Sequence, residues 1–127
     1  RRAAAVSLYH LFAGQIGRNT GPALAEKAIP GLIEALGDKD EKVREQTVKA
    51  LGKIGRARSR IVGPVVTALI KALGDTEKDV REEAAKALGK IGPTAEKAVP
   101  ALLGALKDRN SRVRKRVKEA LEEIQKK

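Results

Sequence analysis

The sequence contains no cysteine, no methionine and no tryptophan, and aromatic residues make up only 2% of it. Without thiols, neither a disulfide framework nor a thiolate metal site can form. A core so poor in rings must be built from Ala, Val, Leu and Ile. That favours close-packed helices over a sandwich or barrel, whose strands draw on aromatic and β-branched side chains. No apolar run approaches the roughly 18 residues of a membrane span, and no basic segment followed by an apolar stretch reads as a signal peptide. The expectation is a soluble, cytoplasmic protein without membrane contact. The chain starts at Arg1 and has no Met, so excision or trimming from a longer protein is expected.

Catalytic chemistry has few residues to work with. His10 is the single imidazole and Tyr9 the single phenol, which leaves little for nucleophilic catalysis or soft metals. Glu82 and Glu83 are adjacent carboxylates, but neighbours on a helix diverge by about 100° and do not make an acid/base pair. No Gly-rich phosphate loop follows a strand. The chain reads as a non-enzyme with no cofactor and no metal.

What is present is charge and repetition. Charged residues reach 34% of 127 residues, with a net charge of +11. The length suits a single domain over 1–127. The wealth of Lys and Glu with no Cys or Met gives a thermophilic-type composition. Self-similarity dominates: VREQTVKALGKIG (Val43 to Gly55) and VREEAAKALGKIG (Val80 to Gly92) agree at ten of thirteen positions. A degraded copy, VRKRVKEALEEI, starts at Val113, giving spacings of 37 and 33 residues between successive copies.

Each copy follows a partner segment: AIPGLIEALGD, VVTALIKALGD and AVPALLGALKD, ending at Asp38, Asp75 and Asp108. In each, the Asp stands five residues before the Val of its VR, the mark of a rigid turn within the repeat. Ile29, Leu32, Ile33 and Leu36 follow an i, i+3, i+4, i+7 pattern, as do Val66, Leu69, Ile70, Leu73 and Val99, Leu102, Leu103, Leu106, so the partners are amphipathic helices with these residues toward the core. Pro30 and Pro100 are expected in or near a first helical turn, where a missing N–H costs little. Gly52 and Gly89 recur at one position inside the second helices. A helical Gly costs roughly 1 kcal/mol against Ala, so close packing of neighbouring helices is expected there. Gly55 and Gly92 are expected as C-terminal caps.

A first helix with Pro-x-Leu, a turn with Asp and a second helix opening Val-Arg resemble the HEAT-repeat family, in its short prokaryotic or archaeal type. The resemblance covers residues 24 to 127 well and 1 to 17 loosely. It implies an all-α, α-α superhelix, a HEAT-like solenoid of about seven helices: an N-terminal orphan helix over 1–17, then repeats at 24–55, 61–92 and 94–127. It also implies an Asp and Arg ladder between neighbouring repeats, carried here onto Asp38, Arg44, Asp75, Arg81, Asp108 and Arg114.

The two ends differ. The orphan helix lacks a partner, so Tyr9, Leu11 and Phe12 are expected to cover that end or meet upstream sequence. At the other end Lys118 and Glu122 replace the small residues at Val48, Ala85 and at Gly52, Gly89, which is expected to stop further stacking and make a C-terminal cap. A monomer or a part of a longer solenoid is expected.

The turns within repeats carry Asp38, Asp40, Glu41 and Asp75, Glu77, Asp79, whereas the loops between repeats carry Arg18, Arg56, Arg58 and Arg60, so one edge should be negative and the other positive. The expected function is a non-catalytic scaffold binding a protein partner on the concave face of the second helices. Its candidates are Glu45, Gln46, Lys49, Lys53, Glu82, Glu83, Lys86, Lys90, Lys115, Arg116 and Glu119. The alternative is a nucleic-acid or polyanion binder using Arg18, Arg56, Arg58, Arg60, Arg109 and Arg112 on phosphate. A third reading is an engineered or excised repeat stack with no native partner.

Overall fold

The computed structural model of the protein describes residues 22–57 and 62–126. The helix expected over 1–17, with Tyr9, His10, Leu11 and Phe12, lies outside the described residues, as do Arg18, Arg58 and Arg60. The described chain is helical throughout. In order it forms α1 (Pro22–Ala35), α2 (Glu41–Ala57), α3 (Val62–Ala72), α4 (Lys78–Ile91), a 3-10 segment (Gly92–Ala98), α5 (Val99–Ala105) and α6 (Ser111–Gln125). α1 with α2, α3 with α4, and α5 with α6 make three hairpins, stacked as an α-solenoid. Six α-helices and the 3-10 segment are described, against about seven helices expected; the helix expected over 1–17 falls outside the described residues.

The same turn closes each hairpin, and the Asp explains it. Gly37, Gly74 and Lys107 donate backbone N–H bonds to the carbonyls three residues back, and Asp38, Asp75 and Asp108 do likewise, tightening the last turn of the first helix. The Asp carboxylate then accepts the N–H two residues on: Asp40 to Asp38 at 2.8 Å, Glu77 to Asp75 at 2.9 Å and Asn110 to Asp108 at 2.9 Å. This is the local side-chain turn for which Asp is suited. Asp40 caps α2 by accepting from Lys42 N–H, and Asn110 caps α6 by accepting from Arg112 and Val113 N–H, satisfying otherwise orphan donors.

Prolines occupy equivalent sites differently. Pro100 sits in the first turn of α5, after the 3-10 segment. Pro30 does not begin a helix, as the sequence suggested, but lies inside α1, where it forgoes one backbone donor. In the middle repeat that site is Thr67, whose hydroxyl donates to the Gly63 carbonyl at 3.1 Å.

The core is aliphatic, as a chain without rings requires. Leu32, Leu51, Ile54, Leu69, Leu88 and Leu102 are fully buried, each contributing about 1.5–3 kcal/mol of transfer free energy. The apolar stripe of the first helices is narrower than their periodicity suggests. Ile33 and Leu103 are exposed, at 41% and 51%, and Ile70 is half-buried. Ile33 and Leu103 are thus turned toward solvent, whereas Ile70 still packs partly against the core.

The second helices pack against one another more extensively than any other pair. A Cβ on Gly52 would stand 2.8 Å from Ala87 Cβ, and one on Gly89 would stand 3.1 Å from Ala120 Cα. Hydrogen in place of a side chain is what lets α2, α4 and α6 approach. Gly55 belongs with these and is not a cap. α2 continues to Ala57, and a Cβ at Gly55 would meet Ile91 and Val65 side-chain carbons at 2.9 Å. Gly92 does end α4, at φ 79°, with its N–H on the Leu88 carbonyl, a conformation that favours glycine.

Candidate partner-binding face

Along the turn edge, arginines of the second helices join successive hairpins. Arg44 donates from Nη1 to the Asp38 carbonyl of its own turn at 2.8 Å, and from Nε and Nη2 to Asp75 of the next turn at 2.9 and 3.2 Å. Arg81 does the same with the Asp75 carbonyl at 2.9 Å and with Asp108 at 2.8 and 3.2 Å. Arg114 donates to the Asp108 carbonyl at 2.6 Å. Two parallel N–H bonds to one carboxylate hold both distance and angle between hairpins. Asp75 raises the Arg44 pKa above its ordinary value by accepting those bonds, against the opposing effect of burial.

These pairs and the glycine contacts fix α2, α4 and α6 side by side. Early residues face early ones, as Arg116 to Glu82, and late face late, as Gly89 to Ala120, so the three helices run parallel. Between α2 and α4 lies a groove of about 240 Å³ floored by Gly52 and Ala87 and rimmed by Lys49, Lys53, Arg56, Glu83, Lys86 and Lys90. Between α4 and α6 lies a wider one of about 580 Å³ over Ala85, Gly89 and Ala120, reached by Arg56, Lys86, Lys90, Arg116, Glu119 and Glu123. Both are open troughs in one face.

Of the eleven residues expected on this face, Lys49, Lys53, Glu83, Lys86, Lys90, Arg116 and Glu119 line the grooves. Glu45 stands beside them between Lys42 and Lys49, at 3.9 Å from each. Glu82 is taken up by Arg116 at 3.2 Å and Arg112 at 3.9 Å. Gln46 and Lys115 line neither groove.

The polyanion candidates among the described residues, Arg56, Arg109 and Arg112, do not converge. Arg56 ends α2 and belongs to the grooves, whereas Arg109 lies in the last turn and Arg112 opens α6, at the opposite ends of parallel helices. A 15-residue helix is about 22 Å long, so these cations are separated by roughly that distance. The basic opening of α6 also has a structural use, since Arg114 and Arg116 are bonded to the Asp108 carbonyl and to Glu82 and Glu119.

Arg56 as a groove residue, and Glu123, were missed by the sequence reading. The signal for Glu123 was register: it stands ten residues after Val113, as Lys53 and Lys90 stand ten after Val43 and Val80. Burial lowers the Lys90 pKa below its ordinary value, with Lys86, Arg56 and Lys53 adding to the effect and Glu83 opposing it. Among the described residues no group of three or more His, Asp or Glu is placed to hold a metal ion, and no helix is long and apolar enough to cross a membrane.

A family model described as HEAT repeats matches residues 66–127, and a second, described as HEAT repeat, matches residues 28–57. No curated protein matches the chain. Similar solved structures include two engineered proteins of the Northeast Structural Genomics Consortium. One is 26% identical with a TM-score of 0.63 over 97% of this chain and 55% of the other. The second is 30% identical with a TM-score of 0.66 over 98% of this chain and 34% of the other. A designed armadillo repeat protein in complex with the peptide (KR)4 is 23% identical, with a TM-score of 0.72 over 97% of this chain and 57% of the other. The chain therefore spans 34 to 57% of the length of these structures.

Proposed function

The chain belongs to the HEAT-repeat family, and we propose that it is a non-catalytic scaffold that holds a protein partner on the face made by α2, α4 and α6. One observation carries the reading. Two adjoining open grooves, floored by Gly and Ala and rimmed by long charged side chains, lie side by side on the face made by α2, α4 and α6. The Asp and Arg pairs of the turn edge bind hairpin to hairpin and have little left to offer a partner. Small residues on the groove floor give an extended chain room to approach the backbone, while the rim supplies polar contacts. Extended grooves of this kind are what stacked repeats use for binding.

Site-specific photocrosslinking tests the proposal. A photoreactive residue at position 86, in the grooves, and another at position 71, on the outer surface of α3, are compared in cell extract with and without nuclease. Protein adducts from position 86 that survive nuclease, with none from 71, are expected. Adducts confined to position 71 would contradict the proposal. Adducts at 86 that vanish with nuclease would move the function to nucleic-acid binding.

A further inference from the structure

The inner helices carry their charges in register, and the last one reverses them. Six residues after Val43, Val80 and Val113 stand Lys49, Lys86 and Glu119, and ten residues after stand Lys53, Lys90 and Glu123. Two residues after stand Glu45, Glu82 and Lys115. At each level α2 and α4 agree in sign and α6 opposes them. Because the helices are parallel, the two grooves differ in kind.

Between α4 and α6, opposite charges meet. Arg116 donates to Glu82 at 3.2 Å, and Glu119 and Glu123 share a groove with Lys86 and Lys90. Between α2 and α4, like charges meet. Five cations, Lys49, Lys53, Arg56, Lys86 and Lys90, surround a single carboxylate, Glu83. Glu45 and Glu83 partly offset Lys49 and Lys86, each pair at 3.9 Å, but no ion pair with Arg56 or Lys90 is formed among the described residues. A cation near a helix C-terminus gains about 0.3–1 kcal/mol from the dipole, which accounts for one lysine at a time. It does not cancel the repulsion between two facing rows.

We propose that the α2–α4 groove is a binding site for an acidic peptide segment, whose carboxylates are taken up by Lys53, Arg56, Lys86 and Lys90. The inference rests on the inner face being a partner surface and adds the partner's chemistry. The dimensions suit a peptide. From Lys49 to Arg56 is about 10 Å along the helix, the reach of about three extended residues. A nucleic-acid strand following the stack fits less well, because Glu119 and Glu123 interrupt the cations of the next groove and would repel phosphates there. The Lys90 amine is lowered first by burial and further by Lys86, Arg56 and Lys53, and bound carboxylates relieve the second of these effects. In the similar designed armadillo protein the bound peptide is (KR)4; here the groove has the sign for the opposite ligand.

Fluorescence anisotropy decides it, with the full chain and four rhodamine-labelled ligands: a Glu/Ser peptide, a Lys/Ser peptide, a Gln/Ser peptide and a DNA duplex. The Glu/Ser peptide should bind most tightly. The double variant Arg56→Glu, Lys90→Glu should weaken it by about tenfold or more, as like charges set face to face do, while Lys71→Glu on the outer surface leaves it unchanged. Circular dichroism confirms that the variants are folded. A Lys/Ser or Gln/Ser peptide bound as tightly, and lost in the double variant, overturns the acidic assignment and leaves the face as a partner surface. Glu/Ser binding that survives the double variant, or falls equally with Lys71→Glu, overturns the groove. Tighter binding of the duplex overturns the peptide, and binding of none of the four overturns the proposal as a whole.

Discussion

Arg81 reaches from one hairpin to the next and grips both carboxylate oxygens of Asp108, at 2.8 and 3.2 Å, while its remaining nitrogen holds the Asp75 and Thr76 carbonyls of its own turn. Both side chains are less than 10% exposed, at 8% and 9%. A pair so far from solvent is costly to break, because the surviving charge is left without its partner. Arg81→Ala is therefore expected to destabilise the fold by about 3–5 kcal/mol, read as a fall in the urea midpoint. An unchanged midpoint would show that the hairpins are joined by their apolar contacts alone.

The acid limb of stability should carry two opposite contributions. Burial would raise the Asp108 carboxyl, but the bonds from Arg81 and the Asn110 N–H outweigh it and hold it below the usual 3.8. Its stabilisation is present above 3.8 and is lost as the pH falls through the lower folded value. Glu41 is the reverse case. The neighbouring Glu77 carboxylate raises its pKa above 4.5 by repulsion and by a shared hydrogen bond. Its contribution is present below 4.5 and is lost as the pH rises through the raised value. Urea midpoints followed from about pH 2 to 7 should lose the lower feature in Asp108→Asn and the upper one in Glu41→Gln. Identical profiles for all three proteins would refute both assignments.

Glycines separate by what they touch. Gly52→Ala gains about 1 kcal/mol of helix propensity but drives a methyl to 2.8 Å from Ala87 Cβ, and overpacking costs about 1–3 kcal/mol. A net loss is expected. A Cβ on Gly104, in α5, would meet nothing within 4 Å, so Gly104→Ala should stabilise by up to about 1 kcal/mol. Thermal melts of the two variants should move in opposite directions; movement in the same direction would mean that α2 and α4 are not held at the spacing described.

Neighbouring leucines offer a sharper contrast. Leu102 is fully buried and Leu103 is 51% exposed. Leu102→Ala should cost about 2–5 kcal/mol, and Leu103→Ser should stay within about 0.5 kcal/mol. Comparable losses in urea titrations would place Leu103 in the core after all.

The repeats were legible because each relies on a short local signal. A constant distance from Asp to Val-Arg marks the turn, and recurring Gly52 and Gly89 mark the closest approach of helices. What periodicity could not supply was the width of the buried stripe. Ile33 and Leu103 fit a core pattern equally well, yet α1 and α5 bury only the side facing their partners. Gly55 misled for a related reason: a Gly near a helix end suits a cap or a tight contact, and only the neighbouring Ile91 and Val65 distinguish them. On the candidate site, the lysine rows were readable but their meaning was not. How positive a groove is depends on which two helices form it, and that follows only once Glu119 and Glu123 are seen across from Lys86 and Lys90.

The most direct measurement of the central claim, that the inner face of the stack is the surface a partner occupies, is amide chemical-shift mapping of the ¹⁵N-labelled protein titrated with the Glu/Ser peptide. Shifts should concentrate at Gly52, Lys53, Arg56, Lys86 and Lys90 and leave Lys71 and Gly104 where they were. Shifts gathered on α1, α3 and α5, or a spectrum that does not change at saturating peptide, would contradict it.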